Sequence, residues 1–163
     1  MVAELISVGT EILLGNIVNT NAAYLAEKCA LLGLSLYHQS VVGDNEARME
    51  DTIRRALERS DVVILTGGLG PTKDDLTKEV TAKVFKKALC EDAHTKERIM
   101  EFFQKIHNGE KITENNWKQA LIPEGAIIVE NQNGTAPGLI VIGDEGSGYE
   151  GKRAILIPGP PNE

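Results

Sequence analysis

The chain has 163 residues and a mass of 17.7 kDa, the size of one ordinary domain. Apolar residues at 42% and charged residues at 25% exclude a disordered chain. A net charge of −7, a pI near 5.1 and only 4% aromatics exclude a nonspecific nucleic-acid binder, which needs a basic face to displace counterions and rings for stacking.

In chain order, the apolar runs predict strands at Ala3–Val8, Leu34–Val42, Val62–Thr66, Ala126–Glu130, Gly138–Ile142 and Arg153–Ile157. Between them, amphipathic spacing predicts helices at Thr20–Leu32, Glu46–Arg59, Thr77–Ala88, Thr95–His107 and Thr113–Leu121. Asn19 or Thr20 can cap the first helix, and Gly33 ends it. The β-α-β-α-β-α order of the first half predicts an α/β fold with a parallel sheet. Val62-Val63-Ile64-Leu65 reads as a strand buried on both faces. The last two runs flank a polar, glycine-rich stretch, Gly143 to Lys152, which predicts an antiparallel hairpin. Residues 1–163 form one domain, and the ending just after a strand suggests a piece of a longer chain. No apolar run approaches the roughly 18 residues of a membrane helix. The N-terminus carries no basic segment of a signal peptide, and Cys29 and Cys90 make no disulfide framework, so a cytoplasmic setting is expected.

Ligands of an open parallel sheet bind beyond the carboxyl ends of its strands. The loop after Leu65 is therefore the first candidate: Thr66-Gly67-Gly68-Leu69-Gly70-Pro71-Thr72-Lys73-Asp74-Asp75-Leu76-Thr77. Gly67, Gly68 and Gly70 remove the Cβ atoms that would keep a phosphate from backbone N–H groups. The spacing is neither a P-loop nor a dinucleotide fingerprint. Asp74 and Asp75 beside such a cradle suggest a divalent cation, although one acidic residue could equally cap the next helix. Gly9-Thr10-Glu11 follows the first strand, and Gly43-Asp44-Asn45-Glu46 follows the second, where Asp44 or Asn45 could be only a cap. Pro158-Gly159-Pro160-Pro161 follows the last strand as a rigid turn. The loop Asn131 to Gly138, with Gly134 and Thr135, could present amides and a hydroxyl. Trp117 reads as the core side of a capped surface helix. His38, His94 and His107 have no ligand spacing, and Cys29 reads as core.

The motifs Val8-Gly9-Thr10-Glu11-Ile12-Leu13-Leu14-Gly15, Asn19-Thr20-Asn21, Gly43-Asp44-Asn45 and Thr66 through Thr77 closely resemble the N-terminal domain of CinA (competence/damage-inducible) proteins. Thr113-Glu114-Asn115-Asn116-x-Lys118-Gln119-Ala120, Gly134-Thr135-Ala136-Pro137-Gly138 and Pro158-Gly159-Pro160-Pro161 fit the same family, so the resemblance covers the whole chain. It implies the molybdopterin-binding-like fold, a three-layer α/β/α sandwich with a mostly parallel sheet and an antiparallel edge. It also implies metal-dependent hydrolysis of ADP-ribose to AMP and ribose 5-phosphate, and a homo-oligomer, dimer or trimer. The family's paired aspartates fall on Asp44 and Asp75. Leu69 stands where molybdopterin-adenylylating enzymes carry threonine.

The expected site follows. A small nucleotide would lie on Gly67, Gly68 and Gly70, with Thr10, Asn45, Thr72, Gly134, Thr135, Pro158 and Gly159 around it. Asp44, Asp74 and Asp75 would hold a divalent cation (Mg, Mn or Co), and Glu11 or Glu79 would act as general base beside Asp44 and Asp75. Two other readings are a module that binds molybdopterin or transfers an adenylyl group to it, and a non-catalytic regulatory domain.

Overall fold

The computed structural model describes residues 1–106 and 112–163. Four strands lie parallel: β1 (Val2–Val8), β2 (Ser35–Val42), β3 (Val62–Thr66) and β8 (Arg153–Ile157), in the order β2-β1-β3-β8. The sheet continues with β7 (Gly138–Ile142), antiparallel to β8, and β6 (Ile127–Val129), antiparallel to β7. The chain is thus an α/β sandwich with a parallel centre and an antiparallel edge, as its sequence predicts.

Alternation along the central strands divides the core. Ile6, Val8, Val63 and Leu65 face one side, with Met49, Ile53 and Leu57 of α3 (Glu46–Arg59) and Val80 and Val84 of α4 (Thr77–Val84). Leu5, Val62 and Ile64 face the other, with Cys29 of α2 (Thr20–Leu31). A strand that is covered on both faces can be apolar throughout, and all five residues of β3 are buried. Burial also pushes the Cys29 thiol pKa up.

Three local differences from the sequence reading matter. The helix from Thr77 ends at Val84 rather than Ala88, because Lys86 turns the backbone to φ 56 and the chain enters strand β4 (Leu89–Glu91). β4 pairs with β5 (Leu121–Pro123), so the expected helix Thr113–Leu121 is instead a short helix α6 (Glu114–Trp117), a 3₁₀ turn (Lys118–Ala120) and a strand. Leu89-Cys90-Glu91 and Leu121-Ile122-Pro123 lack the unbroken β-branched run that marks a short strand in sequence. A further short helix, α1 (Thr10–Leu13), follows β1. Helix α5 (Ala93–Ile106) covers the expected helix Thr95–His107, whose last residue, His107, lies outside the described residues, as does Lys111. Among the described residues no helix is long and apolar enough to cross a membrane.

Candidate functional site

The carboxyl ends of β1, β3 and β8 open into one cleft of about 630 Å³. The sheet brings together loops that are far apart in sequence. Glu11 and Asp44 come from the β1 and β2 ends, Gly67 to Gly70 with Thr72, Asp74 and Asp75 from the β3 end, and Pro158 and Gly159 from the β8 end. Thr135 reaches the cleft from the loop between β6 and β7.

Four expected site residues stand elsewhere. Thr10 is behind the rim, where its N–H and hydroxyl donate to Asp44 Oδ2 at 3.0 and 2.8 Å. Asn45 caps α3, its side chain accepting from Arg48 N–H at 3.1 Å. Gly134 borders a separate small cavity, against the Glu163 carboxylate. Glu79 sits in the first turn of α4, with both carboxylate oxygens covered, so it is not placed to take a proton from a ligand in the cleft.

Two of the three aspartates expected to ligate metal, Asp44 and Asp75, accept from threonines. Asp44 holds Thr10 at the start of α1, and Asp75 Oδ2 accepts from Thr72 N–H at 2.9 Å and Thr72 Oγ1 at 2.5 Å. Asp75 therefore closes its own turn, and Asp44 ties the end of β2 to the start of α1. Among the described residues no group of three or more His, Cys, Asp or Glu side chains is arranged to hold a metal ion. The described residues thus do not by themselves make a protein-built cation site.

Two glycines of the loop after β3 need their lack of a side chain. Gly67 has φ 99 and Gly68 φ 68, and a Cβ would strike the Val8 carbonyl oxygen in the first case and Thr77 Oγ1 in the second. The expectation that Gly67 offers its N–H to a ligand is corrected: that N–H donates to the Ile157 carbonyl at 3.0 Å. The loop's carbonyls are held by the scaffold. Thr77 Oγ1 donates to Gly67 O at 2.8 Å, Thr77 N–H to Gly68 O at 3.1 Å, and Gln119 Nε2 to Leu69 O at 3.2 Å. Lys118 Nζ donates to Thr72 O at 2.9 Å and also to Asp75 O. No acceptor among the described residues takes the N–H groups of Gly68, Leu69 and Gly70, all of which line the cleft. Three neighbouring N–H groups without an acceptor are the kind of donor set that can take an anion.

Residues beyond the expected set complete the cleft. Asn19 caps α2 through Ala22 N–H at 3.2 Å and donates to Ser7 Oγ at 2.8 Å. Asn21 joins Thr66 and Gly159. Ile17, Val18, Pro160 and Pro161 form its apolar walls, and Lys118 and Gln119 support the glycine loop. Burial pushes the Lys78 ammonium down to about 8, against the pull of Glu79 and with the push of Lys118.

The family profile described as "Probable molybdopterin binding domain" matches residues 4–163. The crystal structure of the protein CinA from Thermoplasma acidophilum superposes with a TM-score of 0.83 at 39% identity, over 99% of this chain and 90% of that one. The chain belongs to the CinA branch of the molybdopterin-binding domain family. A competence-damage inducible protein of Clostridium beijerinckii is 51% identical over all 163 residues, and one of Caldanaerobacter subterraneus is 52% identical. The chain spans about two fifths of the length of these curated relatives, 38% in each case. MoaB of Thermus thermophilus, a molybdopterin biosynthesis enzyme, shares the fold at a TM-score of 0.60 and 15% identity, over 98% of this chain and 82% of that one. This family corrects the expected activity. Its description is of a probable molybdopterin-binding domain and not of an ADP-ribose pyrophosphatase, so the expected hydrolysis of ADP-ribose does not hold.

Proposed function

We propose that this domain binds molybdopterin, holding its terminal phosphate on the amides of Gly68, Leu69 and Gly70. The observation that carries the reading is the one-sided hydrogen bonding of the loop. The carbonyls of Gly67, Gly68, Leu69, Thr72 and Asp75 accept from Thr77, Gln119 and Lys118, while the N–H groups of Gly68, Leu69 and Gly70, residues that line the cleft, have no acceptor among the described residues. A phosphate monoester is the size and charge that such a set of N–H groups accepts.

The rest of the cleft suits the rest of the ligand. Its volume of about 630 Å³ lies in the range of small-molecule sites. Ile17, Val18, Pro160 and Pro161 offer apolar walls to a flat heterocycle. The amino edge of a pterin presents N–H donors, and Glu11 and Asp74 are exposed carboxylates on the rim that can accept them. The acidic cleft is then no obstacle: amides receive the anionic end, and carboxylates receive the donor edge. The family profile supports the same ligand class.

The test uses molybdopterin released from a molybdoenzyme and kept free of oxygen. Mixed with the purified domain and passed over a sizing column, the pterin is expected to travel with the protein, read by its fluorescence after oxidation. Pterin fluorescence found only in the small-molecule fractions overturns the reading.

A further inference from the structure

Two residues that do not line the cleft, Lys118 and Glu79, stand against the glycine loop and its support. Lys118, in the 3₁₀ turn, donates from Nζ to the carbonyls of Thr72 and Asp75. The same ammonium lies 3.7 Å from Glu79 Oε1. Both carboxylate oxygens of Glu79 are covered and accept no hydrogen bond among the described residues. Lys78 Nζ, 3.9 Å from Glu79, donates to the Lys118 carbonyl at 2.5 Å and so fixes the backbone that carries the lysine.

A covered carboxylate without a hydrogen bond is costly, and it persists where neighbouring charge compensates it. Here the compensating charge is an ammonium whose N–H bonds go to the loop. We propose that Lys118 and Glu79 are positioning residues: Glu79 anchors the Lys118 ammonium beneath the loop, and Lys118 pins the Thr72–Asp75 turn, whose Asp75 carboxylate packs against Gly70 at the end of the receptor stretch. The receptor amides of Gly68, Leu69 and Gly70 share their peptide units with the Gly67, Gly68 and Leu69 carbonyls that Thr77 and Gln119 hold, and Lys118 fixes the turn that follows them, so the three contacts together set the polarity an anion requires.

This inference rests on the loop being the phosphate receptor, so its test separates loop order from ligand binding. Amide hydrogen exchange in the ligand-free domain follows the N–H groups of Thr72 and Thr77, which bond Asp75 Oδ2 and Gly68 O when the loop is in place. Lys118→Met is expected to speed exchange at both amides about tenfold, and to weaken molybdopterin retention by a similar factor. Glu79→Gln, which keeps shape and removes charge, should do so by a smaller factor, and Lys118→Arg should restore much of both. Amides of β1 and β3 should exchange as in the parent chain, which separates loop release from unfolding. Unchanged exchange at Thr72 and Thr77 in both Lys118→Met and Glu79→Gln overturns the proposal. Faster exchange in a domain that retains no molybdopterin keeps the positioning pair and removes the ligand assignment.

Discussion

The side-chain amide of Asn21 donates to the Gly159 carbonyl at 2.6 Å and contacts Thr66 Oγ1 at 3.1 Å. One residue in the first turn of α2 thereby joins the ends of β3 and β8, the two strands whose loops form the floor of the cleft. Thr66 completes the link by donating from Oγ1 to the Pro158 carbonyl at 3.3 Å. Asn21→Ala is expected to lower stability by about 1–2 kcal/mol, the usual effect of leaving part-buried partners unsatisfied. It should also weaken molybdopterin retention, because the Pro158 turn would no longer be held against the glycine loop. Denaturant titration and the sizing-column assay measure the two effects.

Gly68→Ala should be more damaging at the site than in the fold. The new methyl would meet Thr77 Oγ1 and impose a positive φ on a residue with a side chain. A strained backbone position of this kind costs on the order of 1–3 kcal/mol. Relief requires moving Thr77, whose hydroxyl and N–H hold the Gly67 and Gly68 carbonyls. The expected outcome is a folded domain by circular dichroism with molybdopterin retention lowered at least about tenfold, which corresponds to about 1.4 kcal/mol of binding free energy.

Lys78 predicts a pH dependence. Its folded pKa of about 8 lies below the ordinary 10.5, with burial as the main cause and Glu79 and Lys118 as the charged groups facing it. Between those values the unfolded chain holds a proton that the folded chain has lost, so this residue makes stability rise with pH from about 8 to about 10.5. The full span is worth roughly 3 kcal/mol. Below pH 8 its contribution is flat. The measurement is the stability difference between the parent chain and Lys78→Met, followed by denaturant titration across this range; a difference that falls with pH contradicts the assignment.

At the other end of the sheet, stability should be separable from binding. Glu4 is fully buried in β1, and Arg59 grips it with Nε to Oε2 at 2.8 Å and a terminal nitrogen to Oε1 at 2.7 Å. The Glu4 carboxylate holds the guanidinium pKa above its ordinary value. Arg59→Met leaves a buried carboxylate without its charge partner. Its melting temperature should fall by several degrees while molybdopterin retention stays within about twofold, since the pair lies at the start of β1 and the cleft at its end.

The sequence made the scaffold legible because its elements are long and regularly patterned. The apolar runs of β1 and β3 and the Met49, Ile53, Ala56 and Leu57 stripe of α3 carry strong patterning, and of these residues all but Val2 are buried. Convergence of the strand-end loops was legible too, through the rule that places ligands beyond the carboxyl ends of parallel strands. What the sequence left hidden was hydrogen-bond direction. Asp44 and Asp75 have the composition of metal ligands, and only coordinates reveal their threonine partners. The same holds for Gly67, whose N–H belongs to the sheet, and for Lys118, which reaches the loop from a segment more than forty residues away. Short strands β4 and β5 escaped for a different reason: Leu89-Cys90-Glu91 and Leu121-Ile122-Pro123 lack the unbroken β-branched run, Ile127-Ile128-Val129, that marks the equally short β6.

The most direct test of the account is a crystal structure of the domain grown with molybdopterin. The terminal phosphate is expected within hydrogen-bonding distance of the Gly68, Leu69 and Gly70 nitrogens, with the pterin edge toward Glu11 or Asp74. A phosphate bound elsewhere in the cleft, with those three amides left to water, contradicts it.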